Sequence, residues 1–105
     1  MNRITKFRIR DRNKVVFYTG LEDKNGREIY EGDILRLNGD MDKGKSLVTF
    51  ENGSFTNGHG VPIYNIILEN EGDNWEKNIS KIIGNIFESP ELLNAHNEQK
   101  DTVPS

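Results

Sequence analysis

Short alternating segments, two Asn-Gly reversals and a Gly-Asp corner before a strand predict a mainly β fold, a single small partly open barrel with an N-terminal β-hairpin and a short C-terminal helix. The 105 residues are enough for one hydrophobic core and leave too few for a second. An apolar fraction of 33% and a mean hydropathy of −0.74 mean that this core is built from a few aliphatic runs and nine aromatic residues. Residues 1–96 are expected to form the domain, with 1–20 as basic strands and 21–96 as barrel and helix; 97–105 have little to bury and are expected to be disordered.

Each element follows from a local pattern. From Ile4 to Arg12 the residues alternate, Phe7 and Ile9 pointing one way and Lys6, Arg8, Arg10 and Arg12 the other, which is a strand with a basic face. Val15-Val16-Phe17-Tyr18 is β-branched and aromatic and ends at Thr19-Gly20, giving the second arm of a hairpin. Asn25-Gly26 predicts a tight type I′ reversal. Gly32-Asp33 stands directly before the alternating run Ile34 to Leu37, a corner common in small SH3-type barrels, so the barrel is expected to be SH3-like. Asn52-Gly53, between Leu47–Phe50 and Ser54–Thr56, marks a further hairpin, and Val61 to Leu68, the most apolar run, suits a strand-rich core. Ile79 to Phe87 supplies a strand broken at Gly84, where a bulge is expected. Ser89-Pro90-Glu91 sets an N-cap, a proline at the first helical position and an acid in the first turn, opening a helix to about His96.

Tyr18-Thr19-Gly20-Leu21-Glu22-Asp23-Lys24-Asn25-Gly26-Arg27-Glu28-Ile29-Tyr30-Glu31-Gly32-Asp33-Ile34 and Ile83-Gly84-Asn85-Ile86-Phe87-Glu88-Ser89-Pro90-Glu91-Leu92-Leu93 together resemble the paired signature of the YopX family of bacteriophage and prophage proteins, and Lys6-Phe7-Arg8 is similar to its opening segment. The resemblance spans most of residues 6–93. It implies a phage-borne, mainly β protein with an SH3-like barrel in its later part, and it brings no particular biochemical activity with it. One departure stands out: the stretch between the opening strand and the Tyr-Thr-Gly-Leu block, longer in the family, is reduced here to a few residues, so a ligand site built on that stretch would be missing.

Composition narrows the chemistry. Without cysteine there is no disulfide framework and no thiolate nucleophile, and zinc would have to be held by His59, His96 and carboxylates. The N-terminus has no signal-peptide apolar run, and no stretch reaches the roughly 20 apolar residues of a membrane span, so a cytoplasmic location in a bacterial host and no membrane partner are expected. Gly39-Asp40-Met41-Asp42-Lys43-Gly44-Lys45-Ser46 formally fits the phosphate-binding P-loop pattern, but the following Leu47-Val48-Thr49-Phe50 is β-forming where that loop needs a helix N-terminus. His59 sits in a Gly-rich loop without a partner implied by spacing, and Glu69, Glu71, Asp73, Glu76, Asp40 and Asp42 miss the calcium-loop pattern. No enzyme, cofactor or metal is expected.

The net charge of −3 hides a split: residues 1–20 carry six basic side chains against one acid, and the remainder carries eight against sixteen. The basic strand is therefore expected to pair with an acidic body, its own or a neighbour's. Arg8, Arg10 and Arg12, with Tyr18 or Phe17 for stacking, are the candidates for a phosphate platform, but a pI of 5.4 makes nucleic acid or a nucleotide the weaker alternative. Tyr64 and Trp75, the latter in an otherwise polar loop, are the candidate protein-contact residues. The expected role is a non-enzymatic interaction module that self-associates into a homo-oligomer and engages a host or phage protein, with inhibition of a host defence protein as the form the phage setting suggests.

Overall fold

A computed structural model describes residues 6–10, 14–71 and 75–93, and its architecture is mainly β. In chain order the elements are β1 (Phe7–Arg10), β2 (Lys14–Glu22), β3 (Glu28–Tyr30), β4 (Asp33–Asn38), β5 (Asp42–Leu47), β6 (Thr49–Glu51), β7 (Ser54–Thr56), α1 (Ile63–Ile66), β8 (Leu68–Glu71), β9 (Trp75–Asn78) and β10 (Ser80–Asn85). Among the described residues the strands form sheets β1-β2-β3, β10-β4-β5, β6-β7 and β8-β9, with no closed barrel. Every named pairing is antiparallel. Residues 91–93 form a helical turn in which the Leu92 and Leu93 N–H groups donate to the carbonyls of Ser89 and Pro90; its expected continuation to His96, like the expected tail, lies outside the described residues.

The core is aliphatic and comes from dispersed segments: Ile29, Leu35, Leu37, Val48, Ile63, Ile67, Ile79 and Ile82 pack together. Two polar devices tie the pieces to it. The buried Asp23 accepts N–H bonds from Asn25 and Arg27 in its own turn and, with the other oxygen, from Ile82 of β10 at 3.0 Å. Burial pushes its carboxyl up, and these three N–H donors pull it further down, so that it ends below its ordinary value. At the Gly32-Asp33 corner, Gly32 donates to the Val48 carbonyl, Val48 to that of Asp33, and Ile86 to that of Gly32, so three chain segments meet there.

Two local expectations need correction. Asn25-Gly26 is not a type I′ turn: only Gly26 has positive φ, and the Asp23 side chain holds the reversal. The type I′ signature falls instead on Asn52-Gly53, with φ of 50° and 85°, closing the β6-β7 hairpin. Val61 to Leu68 contributes the helical turn α1 and the start of β8, because Ile63 and Ile67, four apart, are both sunk in the core. The bulge expected at Gly84 is present as a register shift between Ile82 and Gly84 against β4.

Candidate functional site

The N-terminal hairpin decides which residues reach solvent. β1 pairs with β2 in the register Phe7 with Phe17, Arg8 with Val16, Ile9 with Val15 and Arg10 with Lys14, so Phe7, Ile9, Val15 and Phe17 share one face, and Lys6, Arg8 and Arg10 share the other with Val16. Val16 is fully buried, which turns this face toward the body, although Lys6 and Arg8 themselves remain exposed to solvent. The apolar face points out: Phe7 is 56% and Ile9 63% exposed, whereas the Arg10 side chain is only 11% exposed.

On the inward face Lys6, Arg8 and Arg10 each meet a partner on the body. Lys6 forms an ion pair with Glu28, which raises the ammonium pKa and lowers that of the carboxyl. The Arg8 guanidinium lies over the Tyr30 ring, 4.2 Å from its centroid, a cation–π contact. Arg10 donates to Asp33 at 3.1 Å and lies 5.9 Å from the same ring. Tyr30 is the fixed centre of this arrangement: it is buried, its hydroxyl donates to Glu28 at 3.0 Å, its N–H donates to Asp33 at 2.7 Å, and its ring lies 5.5 Å from that of Tyr18. Burial raises the Asp33 carboxyl above its ordinary value despite the Tyr30 N–H and Arg10. The basic strand thus pairs with the chain's own body, and Arg8, Arg10 and Arg27 line a cleft of about 170 Å³ with Glu28, Asp33 and Ile82.

The outward face continues beyond the hairpin. Phe7 and Phe17 are in ring contact at 6.2 Å, and Phe50 and Phe55 meet edge-on at 4.9 Å. A groove of about 530 Å³ runs between the two pairs, lined by Lys14, Val15, Phe17, Tyr18, Glu31, Phe50 and Phe55. Phe50 is 52% exposed.

Of the residues singled out from sequence, Arg8, Arg10 and Tyr18 are brought together around Tyr30. Tyr18 is half-buried there, beneath the Lys6 ammonium at 5.2 Å, rather than open as a stacking platform. Arg12 lies outside the described residues. Tyr64 is exposed on α1 and lines a cleft with Tyr18, Leu21, Leu68 and Asn78, separate from the groove between the phenylalanine pairs. Trp75 opens β9 opposite Glu71. Lys45-Ser46 of the P-loop-like run lies inside strand β5, and the Lys45 ammonium donates to the Leu92 carbonyl. Glu69 is engaged by Lys43 and by the Asp40 N–H, and Asn57 holds the His59 loop by accepting from the His59 and Val61 N–H groups. Sequence reasoning missed Phe7, Ile9, Val15 and Phe50 as surface residues, and Arg27 as a neighbour of Arg8 and Arg10; the signal for the first three was the hairpin register, which places them on one face opposite Val16.

Fold and site define a small mainly β protein whose N-terminal hairpin is anchored through its basic side and presents its apolar side. The chain belongs to the YopX family: the family model described as YopX protein matches residues 2–94. No curated protein matches the sequence. No helix among the described residues is long and apolar enough to cross a membrane.

Proposed function

We propose that this chain is a phage-encoded, non-enzymatic interaction module that acts in the bacterial cytoplasm and docks a host or phage protein on the outward face of its N-terminal hairpin. The observation that supports this is the exposure of Phe7, Ile9, Val15 and Phe17 in two cross-strand pairs, continued across the groove to Phe50. Contiguous apolar surface rimmed by charges, here Lys14 and Glu31, is the usual character of a protein-docking patch. Among the described residues β1 is the edge of its sheet, so a second copy can pair with it along that edge in a two-fold arrangement when the partner is absent. Masking a host defence enzyme is a role that suits such a surface.

Binding of a nucleic-acid backbone along the arginine strand is disfavoured. That reading needs a basic face open along its length, and here the face is turned onto Glu28, Tyr30 and Asp33.

The test compares wild type, Phe17→Ser and Tyr64→Ser. Light scattering gives the mass of each purified protein, and affinity capture from phage-infected cells gives the partner. Self-association and stoichiometric capture of one protein, both lost in Phe17→Ser and kept in Tyr64→Ser, are expected. A monomer that captures nothing, or a Phe17→Ser variant indistinguishable from wild type, would refute the reading.

A further inference from the structure

The cleft beneath the hairpin carries charge that the fold leaves unbalanced. Three cations, Arg8, Arg10 and Arg27, line it with the carboxylates of Glu28 and Asp33. Glu28 is paired by Lys6, which lies outside the lining, and Asp33 by Arg10, so neither Arg8 nor Arg27 forms a salt bridge among the described residues, although Arg27 lies within electrostatic reach of the Asp23 carboxylate. Arg8 contributes its cation–π contact with Tyr30, and Arg27 makes a grazing 3.4 Å bond to the Ile82 carbonyl. Each guanidinium has five N–H donors, so most of theirs remain available to a ligand.

The cation–π contact also prepares the site. The Arg8 guanidinium lies over the Tyr30 ring, and Tyr30 cannot swing away because its hydroxyl, N–H and ring are all held. Ordering the Arg8 fork on binding therefore costs less than ordering a free surface arginine. The neighbouring Arg10, held by Asp33, forms a fixed cationic wall.

We propose that this cleft binds the terminal phosphoryl group of a phosphate monoester, with Arg8 and Arg27 as its two charge-matching donors. Two guanidiniums outside any salt bridge suit a group that carries about −1.5 to −2 at neutral pH better than a singly charged carboxylate. A cleft of about 170 Å³ has room for one tetrahedral oxyanion. This site is independent of the apolar face and stands or falls separately from the docking role.

The experiment titrates the ¹⁵N-labelled full chain with inorganic phosphate at constant ionic strength while following the Nε–Hε signals of Arg8, Arg10 and Arg27. Saturable shifts confined to these arginines and their strand neighbours are expected, with acetate at least about tenfold weaker. Arg8→Gln and Arg27→Gln, both at exposed positions, should each weaken phosphate about tenfold or more, the loss of one charge-assisted donor set. Their unchanged backbone amide spectra would certify the fold, and Phe17→Ser should titrate like wild type. Parallel titrations with a nucleoside monophosphate and a phosphoserine peptide identify the carrier, and tighter binding of either supports the assignment. Shifts that grow linearly with salt, that acetate reproduces, or that survive both arginine variants would overturn it.

Discussion

The guanidinium of Arg10, on edge strand β1, donates a 3.1 Å hydrogen bond to the carboxylate of Asp33 at the start of β4, with 11% and 2% of the two side chains exposed. This contact pins the inward side of the hairpin and so turns Phe7 and Ile9 outward. Because Asp33 also accepts the Tyr30 N–H, removing its side chain leaves a buried donor and a largely buried cation without partners.

Asp33→Ala is therefore expected to destabilise the fold by about 3 kcal/mol. A double-mutant cycle with Arg10→Ala should give a coupling of about 1–3 kcal/mol by urea denaturation. Additive effects within about 0.3 kcal/mol would mean that the hairpin is held by other contacts.

The two buried aspartates should leave opposite marks on acid stability. Asp23 has a folded-state pKa below its unfolded one, so its contribution is fully present above about pH 4 and is lost as the pH falls through the folded value. Asp33 is raised by burial, so it takes up its proton first in the folded state, and its term favours folding increasingly as the pH falls through that raised value. Asp23→Asn should cost about 2 kcal/mol at pH 7, with the gap to wild type narrowing below about pH 4. For Asp33→Asn the gap should widen on acidification. Urea midpoints at several pH values from neutral to acid check both signs.

Gly32 combines a φ of +90° with a crowded site, where an added Cβ would lie 2.4 Å from the Phe87 ring. Gly20 has a similar φ of +88° and open space around it. Gly32→Ala is expected to cost about 3 kcal/mol, backbone strain and overpacking together, and Gly20→Ala about 1 kcal/mol. Equal thermal shifts in the two variants would contradict the close packing of the corner on Phe87.

Phe7→Ser and Phe17→Ser remove exposed rings, so each should change stability by no more than about 1 kcal/mol, the worth of the cross-strand pair. The same substitutions should abolish self-association. A variant that unfolds would place these rings in a core rather than on a surface, and circular dichroism melting distinguishes the two.

The β architecture was legible wherever a local rule governs it. Alternation at Phe7 to Arg10, the turn at Asn52-Gly53 and the bulge at Gly84 are short-range properties of backbone and side chain. The α1 turn was not, because a short apolar run such as Val61 to Leu68 satisfies helix and strand patterns alike until Ile63 and Ile67 find the same core. At the site, charge asymmetry left the basic strand open to an acidic body or a phosphate ligand, and the structure gives it the ion pairs of Lys6 with Glu28 and Arg10 with Asp33. Alternation cannot say which face of a hairpin is buried, however, since that depends on Asp33, 23 residues from Arg10 in the chain, and Tyr30, 22 residues from Arg8. Arg27 escaped notice for the same reason: it reaches the cleft from the far side of a turn that Asp23 organises.

The docking role of the outward hairpin face is tested most directly by site-specific photocrosslinking in phage-infected cells, with Phe17 replaced by a photoreactive phenylalanine analogue in one protein and Tyr64 in another. A single discrete adduct to one protein from position 17, absent from position 64 and lost when Phe7→Ser is added, is the predicted result. Equal adducts from both positions, or none from position 17 while the protein remains folded, would contradict it.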